Sequence, residues 1–132
     1  MQLTQIKPTP EQMVQLHQYP KDEPIVMVNI IKLKAKIGKG EETGKEAYNR
    51  YIKNVQPFIA KAKAKLIRKG NVASTVIGDN KSQPDMIFIV EYPSVAHFFE
   101  MIKNPEYQKV GQSRTIALEY GGLIACKTEN IK

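Results

Sequence analysis

The chain has one cysteine, Cys126, so no disulfide can close within it, and an oxidising compartment is not indicated. The opening segment Met1-Gln2-Leu3-Thr4-Gln5-Ile6-Lys7 lacks the apolar core of a secretory signal. The most apolar runs, Ile25 to Ile31 and Met86 to Val90, fall far short of the ~20 residues that cross a bilayer. A cytoplasmic protein without a membrane span is the expectation. Histidine is equally scarce: His17 and His97 are the only two, in no HxxH or CxxC spacing, so no metal site is expected. Gly38 and Gly40 do not form a phosphate loop, because charged residues follow and no GKS or GKT ending closes the motif. No cofactor is expected.

Acidic residues are the minority charge, 13 against 20 Lys and Arg, which leaves a net charge of +7. Basic surfaces concentrate polyanions. Here, however, the main cluster of Lys61, Lys63, Lys65, Arg68 and Lys69 lacks the interleaved aromatics of a base-stacking platform, and it reads as a solvated helix end. Nucleic acid is therefore not the expected partner. Apolar residues at 42% and charged residues at 25% are ordinary globular usage, and 132 residues suffice for one core but not two.

Thr9-Pro10-Glu11-Gln12 forms a capping box with proline at the first helical position, so a short helix is predicted to run to Gln18, where Tyr19-Pro20 ends it. Residues 1–22 read as a helical extension and residues 23–132 as a single domain. Ile25 to Lys34 lacks a polar face until its lysines, as expected of a strand covered on both sides. Thr43 and Glu46 start a long helix whose apolar stripe is Tyr48, Tyr51, Ile52, Val55, Ile59 and Ala62, with a kink or break expected near Asn54 because of Pro57. A strand is predicted over Val72 to Ile77, and a second, antiparallel to it, over Asp85 to Tyr92. Ser94 caps a helix carrying Val95, Phe98, Phe99 and Ile102, Asn104-Pro105-Glu106 caps a further helical turn, and Leu123 to Cys126 follows the Gly121-Gly122 break as a last short strand.

The predicted order is β-α-β-β-α-β after an extra N-terminal helix, which is an α+β, ferredoxin-like arrangement with one antiparallel sheet and both helices on one face. Strands one and three are apolar at both parities, so the uncovered face is apolar too. A second copy packing its sheet against the first is the expected cover, giving a homodimer through sheet faces.

Met27-Val28-Asn29-Ile30-Ile31-Lys32, Thr43-Gly44-Lys45-Glu46-Ala47-Tyr48-Asn49-Arg50-Tyr51, Tyr92-Pro93-Ser94, Asn104-Pro105-Glu106-Tyr107-Gln108 and Arg114 occur in that order. Together they resemble the uncharacterised family known as domain of unknown function 1330, over residues 23–127. The resemblance implies a ferredoxin-like protomer of the dimeric α/β-barrel superfamily, with a pocket between sheet and helices. That superfamily includes cofactor-independent oxygenases, isomerases, dehalogenating enzymes and haem-binding members. The sequence departs from the family at Arg68-Lys69-Gly70-Asn71, where relatives tend to carry a glycine pair.

Arg114 shares one helical face with Tyr107, Val110 and Leu118, which aims a guanidinium toward apolar surroundings, where it needs a partner. It either clamps a small organic anion, a carboxylate or enolate, or pairs with Glu91 or Glu106. Glu91, at a strand end, and His97, in a first helical turn, are the candidate acids or bases. Asn29 interrupts an apolar strand and either orients a ligand carbonyl or makes a structural hydrogen bond. Tyr48 and Tyr51 either bond a ligand or pack the core. With Tyr107 and Arg114 these residues make the candidate ligand set. The function they suggest is a small-molecule-binding homodimer, with a cofactor-independent isomerase or monooxygenase type of activity on an acidic or aromatic metabolite. The alternative is a structural or regulatory module whose pocket is filled by its own side chains.

Overall fold

A computed structural model describes residues 5–129; the first residues of the segment read for a signal, and the last of the range assigned to the domain, lie outside the described residues. Every helix starts on a side-chain cap. At α1 (Pro10–His17) the Thr9 hydroxyl accepts from the Gln12 N–H and the Gln12 side chain accepts from the Thr9 N–H. Thr43 and Glu46 repeat the box at α2 (Gly44–Lys61). Ser94 caps α3 (Val95–Lys103), and Asn104 caps α4 (Pro105–Ala117). Each cap satisfies backbone donors that would otherwise be orphaned, worth about 1 kcal/mol.

Strands β1 (Ile25–Leu33), β2 (Lys65–Asn71), β3 (Met86–Tyr92) and β4 (Leu118–Cys126) pair antiparallel in the order β2-β3-β1-β4. This is the expected split βαβ, ferredoxin-like topology, with α4 added to the second helix. One sheet face carries Ile25, Met27, Ile31, Met86, Val90 and Tyr92 into a core completed by Tyr48, Tyr51 and Val55 of α2 and Phe98, Phe99 and Met101 of α3. The alternate parity carries Val26, Val28 and Ile30, with Ile87, Ile89 and Ile124 opposite them in register. Among the described residues no helix covers that second face, and Ile87 and Ile124 remain 39% and 51% exposed. Among the described residues no helix is long and apolar enough to cross a membrane.

Several elements differ from expectation. The second strand is Lys65–Asn71, not Val72 to Ile77. Lys63 adopts a positive φ of 56° just after α2, which turns the chain directly into the strand; of the basic cluster first read as a solvated helix end, Lys61 does end α2, whereas Lys65, Arg68 and Lys69 lie in the edge strand. Lysine and arginine suit an edge strand because they discourage further pairing. The β-branched run lies instead in the β2–β3 loop, pinned by Val72 N–H to Asp85 O at 2.9 Å and Thr75 Oγ1 to Gln83 Oε1 at 2.7 Å, with Val76 and Ile77 exposed. Pro57 does not break α2: it and Lys53, whose carbonyl loses its donor, are both exposed, so water can satisfy that carbonyl. Beyond the Asn104 cap stands the full helix α4 rather than a single turn, and β4 runs through Gly121-Gly122 instead of starting after them.

The site is positioned by one tight junction. Lys34 N–H donates to Ala117 O and Gly44 N–H donates to Lys34 O, each at 2.9 Å, joining the end of β1, the start of α2 and the end of α4. A Cβ on Gly44 would lie 2.3 Å from the Lys34 carbonyl oxygen and 2.7 Å from that of Ala117, so only glycine fits. With these ends fixed, α2 and α4 lie side by side, and the residues they point inward meet.

Candidate functional site

Tyr48 and Tyr51 stand three residues apart on α2, within the stripe that packs on the sheet, while Tyr107 and Arg114 come from α4. The Tyr51 and Tyr107 hydroxyls are 2.9 Å apart and hydrogen-bonded. Their rings meet edge-on at 6.5 Å, Tyr48 tilts against Tyr51 at 5.6 Å, and Phe58 meets Tyr107 edge-on at 6.0 Å. Tyr48 is only 1% exposed, yet its hydroxyl has no hydrogen-bond partner among the described residues.

Burial pushes the Tyr48 hydroxyl well above the ordinary phenol range, with the Arg114 charge opposing and Tyr107 reinforcing. Burial does the same to Tyr51, reinforced by Tyr107 and opposed by Arg114. Both phenols therefore stay protonated at neutral pH, with a proton to donate, and do not serve as bases. Arg114 is linked to these tyrosines through Ile6, whose side chain packs against the core cluster that holds Tyr48 and Tyr51.

Arg114 itself is half-buried, and its Nη1 donates to the Ile6 carbonyl at 3.2 Å. It lies against the backbone of β4: a Cβ built on Gly121 would stand 2.6 Å from Nη2. The glycine pair that looked like a strand breaker thus opens the space the arginine fills. Among the described residues no carboxylate pairs with Arg114. Glu91 shares its parity with Ile87 and Ile89 and pairs in register with Val26 and Lys65, which puts it on the opposite sheet face. Glu106 is exposed and stands 3.7 Å from Lys109. Neither forms the ion pair weighed from sequence.

The structure thus brings Tyr48, Tyr51, Tyr107 and Arg114 together. Asn29 shares the helix-facing parity of Met27 and Ile31, but its Nδ2 donates to the Met27 carbonyl at 3.3 Å. His97 is held in the cap of α3, with Nδ1 2.7 Å from Ser94 Oγ, and no hydrogen bond or ring contact links it to the tyrosines among the described residues. Sequence reasoning missed Ile6 and Gly121. The Gly121-Gly122 pair was the available signal for one; nothing local marks Ile6. A separate open cavity of about 330 Å³ lies on the bare sheet face, lined by Arg68, Lys69, Gly70, Ile87 and Ile89.

Two substitutions separate the partnered hydroxyl from the unpartnered one. Tyr51→Phe breaks the bond to Tyr107 and is expected to lower stability by about 0.5–1.5 kcal/mol, whereas Tyr48→Phe removes a buried hydroxyl without a partner and should leave stability unchanged or higher. Urea denaturation of both variants checks this ordering, and a larger loss for Tyr48→Phe contradicts it.

Comparison with known proteins follows the same architecture. The RPA0582 protein of unknown function from Rhodopseudomonas palustris is 34% identical and superposes with a TM-score of 0.89, covering 96% of this chain and 98% of that one. More distant folds are the hydroxynitrile lyase of Passiflora edulis, at TM-score 0.60 and 12% identity over 84% of this chain and 99% of that one, and a dimeric protein of unknown function with a ferredoxin-like fold from Bacteroides fragilis, at TM-score 0.55 and 11% identity over 83% and 100%. At such identities these two speak to fold alone. No curated protein matches the chain. A family model matches residues 37–126, which include α2, α4 and Arg114, and the chain belongs to that family, the domain of unknown function DUF1330.

Proposed function

We propose that this protein is a small-molecule-binding homodimer that takes a small organic anion, acidic with an aromatic body, between α2, α4 and β4. The observation that carries the reading is a half-buried guanidinium whose acceptor among the described residues is a neutral carbonyl, together with a buried phenol hydroxyl that has no partner among them. Burying a donor without an acceptor is unfavourable, and a ligand carboxylate or enolate would give the Tyr48 hydroxyl an acceptor and Arg114 a charged partner. The planar fork of Arg114 suits two oxygens at once. The rings of Tyr48, Tyr51, Tyr107 and Phe58 supply aromatic walls.

The cluster offers donors and one positive charge but no base, because its phenols stay protonated and Glu91 and His97 lie elsewhere. Such a set favours a compound that is already anionic, and it stabilises an enolate better than it abstracts a proton. One observation favours the alternative of a self-filled, non-catalytic module: Arg114 already holds the Ile6 carbonyl.

A thermal-shift panel of aromatic and aliphatic carboxylates tests the ligand reading. An acid present at about 100 times its Kd stabilises by about 2.7 kcal/mol, so a clear rise in Tm is expected, and it should be lost in Arg114→Gln. No rise with any acid, or a rise that Arg114→Gln retains, contradicts the site.

Dimerisation rests on the bare sheet face, where Val26, Val28, Ile30, Ile87, Ile89 and Ile124 form a continuous apolar surface. Such patches are uncommon on monomers, and the same face of a second copy is a self-complementary cover. A dimeric protein of the same fold supports the reading. Light scattering should return twice the 15.0 kDa chain mass, and Ile124→Glu should shift the protein to monomer. A wild-type monomer at micromolar concentration overturns the dimer.

A further inference from the structure

The residues ahead of α1 are tied to the candidate site. Gly121 N–H, on the outer edge of β4, donates to the Gln5 carbonyl at 3.0 Å, and Arg114 donates to the next carbonyl, that of Ile6, at 3.2 Å. Two consecutive peptide carbonyls therefore cross the end of the sheet where the guanidinium lies. The Ile6 side chain packs against the same core cluster as Tyr48 and Tyr51. Side-chain bonds steady this crossing: Gln5 Nε2 donates to Lys7 O at 2.8 Å and to Gln12 Oε1 at 2.6 Å.

We propose that residues 5–8 form a strap whose Ile6 carbonyl occupies Arg114 in place of the ligand, and that an arriving carboxylate displaces it. This inference rests on the anion-binding reading above and adds how access to that site is controlled. A peptide carbonyl is a neutral acceptor with one oxygen, whereas a carboxylate is charged and offers two. Charge-assisted bonds to guanidinium are roughly twice as strong as neutral ones, so the exchange favours the ligand. The strap is also lightly held. No residue of α1 is fully buried, and the helix leans on the core through the partly buried Met13 and Leu16 and through the His17 ring, stacked on Phe99 at 4.0 Å. Segments with few buried apolar contacts open at low free-energy cost. Release would uncover the guanidinium while the rest of the fold, anchored at the Lys34 junction, stays in place. The Ile6 carbonyl, which by itself favours a self-filled module, thus becomes the closed state of a binding site.

The Gly121 amide reports the strap directly, because its N–H partner is the Gln5 carbonyl. Hydrogen exchange by NMR, on the full chain with and without benzoate as the aromatic carboxylate probe, gives the first readout. The second is the benzoate Kd of wild type and of Ile6→Gly, which removes the side-chain packing of the strap and keeps Arg114 and the tyrosines as residues. Benzoate is expected to speed Gly121 exchange in proportion to saturation, and Ile6→Gly should bind benzoate about threefold to tenfold more tightly, because displacing the strap no longer costs the packing of the Ile6 side chain. Binding to Ile6→Gly alone also supports the strap. If wild type binds benzoate but Gly121 protection is unchanged, or the Kd of Ile6→Gly is unchanged, the strap is overturned while the anion site stands. Binding to neither protein overturns both.

Discussion

Three backbones meet at Lys34, and the remainder of the site depends on how closely they approach. β1 ends there, α2 begins against it at Gly44, and α4 finishes against it at Ala117, through two main-chain bonds of 2.9 Å each. No side chain beyond hydrogen fits at residue 44. Because α2 and α4 are fixed at this one end, their inward faces run side by side, which is why a tyrosine near the middle of α2 reaches the hydroxyl of one at the start of α4. The same constraint carries Arg114 onto the β4 backbone, where Gly121 leaves room for it.

What assembles there is chemically one-sided. Two phenols kept protonated by burial, one of them without a partner, face a guanidinium whose sole protein acceptor among the described residues is a neutral carbonyl. In an all-protein core the usual resolution is a carboxylate from a neighbouring element. The sheet places one sequence candidate, Glu91, on the far face instead, because strand alternation leaves no choice once Val90 and Tyr92 point inward, and the other, Glu106, is exposed beside Lys109. For Glu91 the exclusion from the site is a consequence of the fold and not a local accident of side-chain conformation.

Much of this was legible before any coordinates. The capping boxes at Thr9 and Thr43, the period of the α2 stripe and the two-sided apolar strands gave the helices, the central strands and the uncovered face, because caps and periodicity are local signals. The second strand was misplaced for a physical reason: β-branched residues at 72–77 carry strand propensity, but the ladder with β3 is satisfied by the basic segment before them, and tertiary pairing overrides propensity at a sheet edge. The grouping of Tyr48, Tyr51, Tyr107 and Arg114 was readable from helical spacing. Their relation to Ile6 was not, since it joins residues 108 positions apart through a backbone oxygen that carries no side-chain signature.

The claim on which the account turns is that Arg114 answers to an anion from outside the chain. A crystal structure with a bound aromatic carboxylate addresses it most directly. A carboxylate oxygen is expected within hydrogen-bond distance of Arg114, with the Tyr48 hydroxyl donating to the same ligand and the Ile6 carbonyl moved away. A structure in which the compound sits elsewhere, on the bare sheet face for instance, while Arg114 still holds Ile6 would contradict it.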